Sequence, residues 1–229
     1  MLYLHGGGYV HPLTADYWRL VRALVQVPAE VVVPAYPLAP DANADDVLPR
    51  LVELAEHVSS ADGRPGEPLP TVLMGDSAGG AMALVVGRAM SDRGRAPAPA
   101  RVVALSPWLD ATLRDDAVPD LEASDPMLAE SGLRAAGRWW AGSRPADDQA
   151  VSPVRLPLDG LPPVEVYIGA HDILRPAVDD LAARAESADV DLTVHEVPAM
   201  FHVWMTRAIP EGRRTRRDLV ELVRRTAGT

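Results

Sequence analysis

The sequence contains no cysteine and no lysine among its 229 residues. The lack of cysteine excludes disulfides, thiol nucleophiles and thiolate-bound metals, and the lack of lysine excludes any mechanism that needs a catalytic amine. Aromatic residues are also scarce, at 5%, so aliphatic side chains must fill most of the core. The net charge of −10 argues against nucleic acid or an anionic membrane as a partner.

Long apolar runs are missing as well. No stretch approaches the roughly 20 apolar residues that are needed to span a bilayer, and the sequence does not open with a signal-peptide pattern. We therefore expect no integral membrane segment and a cytoplasmic location.

The sequence does contain short apolar runs that alternate with helical patterns, which is typical of a parallel α/β sheet. Hydrophobic residues make up 48% of the chain, so we predict one α/β domain over residues 1–229. Six strands are predicted, at residues 2–5, 30–34, 71–74, 101–106, 164–169 and 191–197. Helices are predicted at residues 14–27, 45–60, 77–91, 128–141, 175–186 and 209–226.

Residues 111–161 interrupt this alternation because they are acidic and rich in proline. They contain one predicted helix, at residues 128–141. We predict that they form a lid-like insertion over the ends of the strands and not a separate domain.

The segment His5-Gly6-Gly7-Gly8 directly follows the first predicted strand. Glycines carry no side chain that would keep a ligand from the backbone, so their N–H groups can approach a negatively charged oxygen. An HGGG loop completes the oxyanion hole of lipases and esterases. We predict that Gly6 and Gly7 are oxyanion donors; the alternative for the triplet alone is a flexible loop.

Ser77 lies in the segment GDSAGG, residues 75–80, between a predicted strand and a predicted helix. A strand–turn–helix is the context of a nucleophile elbow, in which a strained serine projects its hydroxyl. We predict that Ser77 is a nucleophile and that the backbone N–H of Ala78 is a further oxyanion donor. A glycine-rich helix start and a phosphate site are the alternatives.

A serine nucleophile needs a base, and the base needs an orienting carboxylate, in the chain order Ser, Asp or Glu, His. His202 follows the last predicted strand in a loop, whereas His195 lies inside that strand, so His202 is the predicted base. Asp172 follows the fifth predicted strand and is the predicted acid. Its alternative role is a favourable charge at the start of the next helix. Asp179 and Asp180 lie inside that helix and are less suitably placed.

Several segments, in this order, resemble the hormone-sensitive-lipase branch of the α/β-hydrolase fold over residues 1 to about 207. They are HGGGY at 5–9, YPLAPD at 36–41, GDSAGG at 75–80, SPWLD at 106–110, SDPML at 124–128, LPP at 161–163, HDIL at 171–174 and FHVW at 201–204. The resemblance implies a serine carboxylesterase for short- or medium-chain acyl esters that uses Ser77, Asp172 and His202, with neither metal nor cofactor. Tyr9 and Trp108 are expected to contact the substrate.

The family that this sequence resembles normally carries several dozen further residues before the HGGG segment, which form two strands and part of a cap. We therefore expect residues 30–34 to be an edge strand and the acyl pocket to be open on the side of that cap.

The same residues would also serve an amidase, an acyltransferase or a lactonase, because all of these reactions pass through an acyl-enzyme. An inactive hydrolase scaffold that binds a ligand, as in related plant hormone receptors, is another alternative. Loss of the histidine would favour that alternative, and His202 is present. The expected partner is a small molecule in every case, and a homodimer stays open.

Overall fold

The computed structural model describes residues 1–27, 29–60 and 70–228. Five strands in these residues form one parallel sheet, whose order in space is the order along the chain. The strands are β1 Leu2–Leu4, β2 Val72–Asp76, β3 Arg101–Leu105, β4 Val164–Gly169 and β5 Leu192–Val197. The described α-helices are α1 Tyr17–Leu24, α2 Ala44–Ser60, α3 Ala78–Arg93, α4 Val118–Ser124, α5 Glu130–Ala141, α6 Arg175–Ser187 and α7 Pro210–Ala227.

Two apolar layers cover the sheet, one on each face. Successive strand residues point to opposite faces, so Leu73 packs with α2, α3 and α6, while Met74 packs with α1 and α7. Strands β1 to β4 are almost wholly buried because helices cover both faces, as in other parallel sheets. Among the described helices, none has the combination of length and apolar character that crossing a bilayer requires.

The parallel arrangement decides where the chemistry can lie. The carboxyl ends of parallel strands meet at one edge of the sheet, and the loops that leave them form a crevice there. His5 follows β1, Ser77 follows β2, Asp172 follows β4 and His202 follows β5 within a few residues. The fold therefore gathers at one edge four segments that are far apart in the sequence.

The strand prediction for residues 30–34 was wrong in extent. Val32 forms only an isolated parallel bridge with β1: its N–H donates to the carbonyl of Met1 (3.0 Å), and Tyr3 N–H donates to the carbonyl of Val32 (2.8 Å). The next bond of such a ladder would need an N–H at Pro34, and proline has none. The edge of the sheet beyond β1 is therefore a short extended segment.

One predicted helix begins later in the structure, and one observed helix was not predicted. Helix α1 begins at Tyr17 and not at residue 14, because Thr14 and Ala15 form turns in which their carbonyls accept N–H groups three residues later. Helix α4 was not predicted, since seven residues with Pro119 near the start are too few to show a helical period.

Trp140 attaches α5 to the loop that follows β1. Its fully buried ring stacks on Tyr9, with ring centroids 4.2 Å apart and the planes parallel to within 1°. The ring of Trp108 adds a tilted contact to Tyr9 at 5.3 Å. This aromatic cluster makes the segment that carries α5 part of the main core.

We expect Trp140→Ala to lower the free energy of unfolding by about 3–5 kcal/mol, because the variant loses buried area and leaves a cavity beneath Tyr9. The neighbouring Trp139 is 51% exposed, so Trp139→Ala should change the free energy of unfolding by no more than about 0.5 kcal/mol. Urea unfolding of the two variants checks this, and equal losses would contradict the anchoring role of Trp140.

Candidate active site

Ser77 stands at a sharp turn between β2 and α3, with φ 53° and ψ −120°. Such a conformation is strained for any residue but glycine, by about 1–3 kcal/mol. Three backbone hydrogen bonds hold it: Ser77 N–H donates to the carbonyl of Leu105 (2.8 Å), and the carbonyl of Ser77 accepts the N–H groups of Ala81 (3.1 Å) and Trp108 (3.0 Å). The observed backbone is that of a nucleophile elbow, in agreement with the strand–turn–helix context.

Gly79 allows the first turn of α3 to lie directly against the end of β1. A Cβ atom at this position would overlap the backbone carbonyl of Leu4. The second glycine of the G-x-S-x-G pattern therefore has a packing reason: it brings the glycine loop after β1 next to Ser77.

His202 and Asp172 form a buried pair. Nδ1–H of His202 donates to Oδ2 of Asp172 at 2.9 Å, and the other carboxylate oxygen accepts the N–H of Leu174 at 3.0 Å. Burial alone would lower the pKa of His202, but the Asp172 carboxylate and its hydrogen bond raise it above its ordinary value. The carboxylate thus fixes the orientation of the imidazole, and Nε2, the other ring nitrogen, takes no part in the bond to Asp172.

Two further side chains, to which the sequence analysis gave no role, hold these loops. Ser106 Oγ accepts the N–H of Val203 (3.1 Å), next to His202. Asp125 accepts the N–H of Ile173 (3.1 Å), next to Asp172, and that of Met127 (2.8 Å). The only sequence signal was their place in the SPWLD and SDPML segments.

One cavity of about 340 Å³ contains Ser77 and His202 in its lining. Its other walls are the glycine loop, the start of α1 and the segment that leads into α5. The remaining lining residues are Gly7, Gly8, Val10, His11, Tyr17, Asp76, Met127, Leu128, Ala129, Gly132, Leu133, Ala136 and Val203. Two larger hollows, of about 500 and 430 Å³, contain neither Ser77 nor His202.

The glycine loop differs from the prediction at one position. Gly6 N–H donates to Oδ1 of Asp76 at 3.0 Å, so it is not available to a substrate oxygen. Gly7 and Gly8 line the cavity instead. In the described part of the chain, the N–H groups of Gly7, Gly8 and Ala78 have no hydrogen-bond acceptor. Gly8 was not predicted, because the pattern GGG does not say which two glycines face the cavity.

Asp76, which accepts the N–H of Gly6, was not predicted to belong to the site. Its Oδ1 atom also accepts the hydroxyl of Tyr3 at 2.5 Å, and the side chain is fully buried. Burial raises the pKa of Asp76 to about 6, against the opposing effect of the hydrogen bonds from Tyr3 and Gly6. The hydroxyl of Tyr17, which lines the same cavity, lies near this carboxylate and also lowers its pKa.

The two residues predicted to contact substrate lie elsewhere. Tyr9 and Trp108 are each 1% exposed, belong to the aromatic cluster with Trp140, and are absent from the cavity lining. The reason is that Tyr9 adopts a positive φ of 65°, and its ring packs into the core. His195 also lies away from the cavity, in β5, where its Nε2 pairs with Glu165 at 2.6 Å.

Among the residues that the structure describes, no three His, Asp or Glu side chains lie close enough together to hold a metal ion.

Loops at the carboxyl edge of a parallel sheet, with a strained serine at a strand-to-helix turn, are the architecture of the α/β-hydrolase class. The family model described as alpha/beta hydrolase fold matches residues 1–206, and the chain belongs to that family.

Individual relatives support the same grouping. The chain is 33% identical over 220 residues to an acetyl-hydrolase of Streptomyces hygroscopicus, covering 93% of this chain and 71% of the relative. It is 30% identical over 204 residues to a triacylglycerol lipase of Mycobacterium tuberculosis, covering 88% of this chain but only 41% of the lipase.

Solved structures agree in fold. An esterase/lipase from an uncultured bacterium superposes with a TM-score of 0.89 at 28% identity, over 100% of this chain and 76% of that one. An esterase from the bacterial hormone-sensitive lipase family gives a TM-score of 0.89 at 28% identity, over 99% and 76% of the two chains. The chain therefore belongs to the hormone-sensitive-lipase-like branch of the fold.

We expect Ser77→Gly to be more stable than Ser77→Ala by about 1 kcal/mol. Glycine relieves about 1–3 kcal/mol of backbone strain, which exceeds the roughly 0.5–1 kcal/mol lost to its greater freedom in the unfolded chain. Both variants lack the hydroxyl, so any difference between them in urea unfolding reports the backbone alone. A Ser77→Gly variant that is less stable than Ser77→Ala by about 0.5–1 kcal/mol would mean that the turn carries no strain.

Proposed function

We propose that the chain is a serine carboxylesterase that hydrolyses short- to medium-chain acyl esters through an acyl-enzyme on Ser77. The broader class is not in question, since the relatives are named esterases, lipases and acetyl-hydrolases, and the chain is a carboxylic ester hydrolase. The observation that carries the serine mechanism is that strained Ser77 and His202, paired with Asp172, line one cavity.

In the proposed acylation step, Ser77 Oγ attacks the ester carbonyl carbon while Nε2 of His202 takes the hydroxyl proton. The Asp172 carboxylate stabilises the imidazolium that forms, as the acid of a triad does. The carbonyl oxygen becomes an oxyanion, and the N–H groups of Gly7, Gly8 and Ala78 donate to it. The tetrahedral intermediate then collapses, and the alcohol leaves with the proton held by His202.

Deacylation repeats these steps with water. His202 removes a proton from a water molecule, and the hydroxide attacks the acyl carbon. Collapse of the second tetrahedral intermediate releases the carboxylic acid and returns the proton to Ser77. Each oxyanion donor in such a site is worth roughly 100- to 1000-fold in turnover, which gives the unpaired N–H groups a direct kinetic role.

The preference for short to medium chains is supported by the size and nature of the cavity. About 340 Å³ accommodates a small ester, and aliphatic side chains such as Val10, Leu128 and Leu133 form much of the wall. A wall of this kind binds an alkyl chain and offers no charge to recognise an ionic one.

We also propose that residues 111–161 act as a lid-like part of a single catalytic domain. Support comes from α5 and the residues before it, which line the cavity, and from Asp125, which ties this segment to the loop of Asp172. Arg207 adds contacts to Met127 and Asp16 at the cavity mouth.

The direct test is hydrolysis of p-nitrophenyl butyrate by the purified chain and by Ser77→Ala. We expect the substitution to lower kcat by roughly 10⁴- to 10⁶-fold, as loss of a triad nucleophile does. A fluorophosphonate probe should label the parent chain and leave Ser77→Ala unlabelled.

Other outcomes separate the alternatives. An active Ser77→Ala variant would refute the mechanism, and a folded parent chain that neither turns over nor reacts with the probe would favour a binding protein. Release of p-nitrophenol that rises with an added amine or alcohol would indicate an acyltransferase.

The pH dependence provides a second prediction. Only neutral His202 can accept the proton of Ser77, so kcat/KM should rise with pH through the pKa of His202 in the free enzyme. The Asp172 carboxylate raises that pKa, so Asp172→Asn should move the acid limb to lower pH and reduce kcat by about 10⁴-fold. Asp179→Asn, which changes a half-exposed carboxylate on α6, is the matched control. An acid limb that stays in place in Asp172→Asn would contradict the assignment.

A further inference from the structure

Helix α5 turns one face toward the cavity. Gly132, Leu133 and Ala136 of this helix line it, together with Ala129 immediately before the first turn. Their spacing is that of a single helical face. Three of the four side chains are methyl groups or hydrogen, so this face presents little side-chain volume to the cavity.

The two glycines of α5 have different surroundings. A Cβ at Gly137 would come within 3.1 Å of the Cβ of Ala111 and 3.4 Å of the Trp108 ring, so close packing accounts for that glycine. A Cβ at Gly132 would meet no heavy atom of the described chain within 4 Å. Gly132 lies in the first turn of α5 and is exposed. Neither packing nor a positive φ requires glycine there, and since Gly132 is one of the residues that line the cavity, the open space beside it is where the cavity meets solvent.

Two backbone donors in the same cavity indicate where the ester carbonyl lies. The N–H groups of Gly7 and Gly8 line the cavity and have no hydrogen-bond acceptor among the described residues. An ester whose carbonyl accepts from these N–H groups would have its alkyl part free to lie along the face of α5 that lines the same cavity.

We propose that Gly132 is a specificity-determining residue: the gap beside it takes the alkyl chain of the ester, and its lack of a side chain sets the longest chain that is accepted. The proposal rests on the function proposed above, because it concerns the substrate of the same cavity. The alkyl chain can belong to the acid or to the alcohol of the ester, and the experiment distinguishes these.

The test is to measure kcat/KM of Gly132→Leu and Gly132→Phe against two ester series. The first varies the acid, from p-nitrophenyl acetate through butyrate to octanoate. The second varies the alcohol, from ethyl through butyl to octyl acetate, with acid release followed by titration. We expect the octyl-to-ethyl or octanoate-to-acetate ratio to fall about tenfold or more, the usual range for steric discrimination in an apolar pocket, while the shortest ester is hydrolysed nearly as before.

Two controls make the result specific. Gly132→Ala should raise the thermal midpoint, because it favours the helix, and should change the chain-length profile less than the larger residues do. Ser131→Phe places the same ring on the adjacent exposed residue, which does not line the cavity, and should leave the profile unchanged. If Gly132→Phe does not fold, Gly132→Leu decides the question.

A fall in the long-to-short ratio of kcat/KM in one series supports the proposal and identifies whether the alkyl chain of the acid or that of the alcohol lies along α5. An unchanged profile in Gly132→Leu and Gly132→Phe, an equal loss for every ester, or the same shift in Ser131→Phe would overturn it. A parent chain that hydrolyses none of these esters would overturn the proposed function as well, so the two failures are distinguishable.

Discussion

A buried carboxylate links the three parts on which the site depends. Asp76 is the last residue of the strand that carries Ser77, and it accepts the hydroxyl of Tyr3 from β1 and the N–H of Gly6 from the glycine loop. Burial raises its pKa to about 6, so the bonds it makes have to offset a real desolvation penalty. Asp76 accepts the N–H of Gly6, and the next two glycines, Gly7 and Gly8, line the cavity.

The sequence predicted the parts of the fold that depend on repeating patterns. Apolar runs located all five strands of the sheet, and the chain order Ser, Asp, His selected Asp172 and His202 rather than Asp179 or His195. The structure brings that pair within hydrogen-bond distance. The strand inferences succeeded because strand period is a property of neighbouring residues, which sequence displays directly, whereas the catalytic roles of Asp172 and His202 stay a prediction.

The failures at the candidate site share one physical cause: they depend on which way a group points. Gly6 and Gly8 look the same in the sequence, yet one N–H meets Asp76 and the other lies at the cavity. Tyr9 directly follows the glycine loop, but its backbone directs the ring onto Trp140. Such choices are settled by tertiary packing, which local propensity does not record. The strand at residues 30–34 is a different case, because the missing N–H of Pro34 is visible in the sequence.

The sequential order of the sheet separates the supports of the two side chains that line the cavity. Each strand pairs with the strand before it in the chain. The turn at Ser77 follows β2 and is bonded to Leu105 of β3 and to Trp108 beyond it, whereas His202 follows β5, which lies at one edge of the described sheet. The serine therefore rests on the middle of the sheet and the histidine on an edge strand, so a change that weakened the pairing of β5 would displace His202 and leave the turn at Ser77 in place.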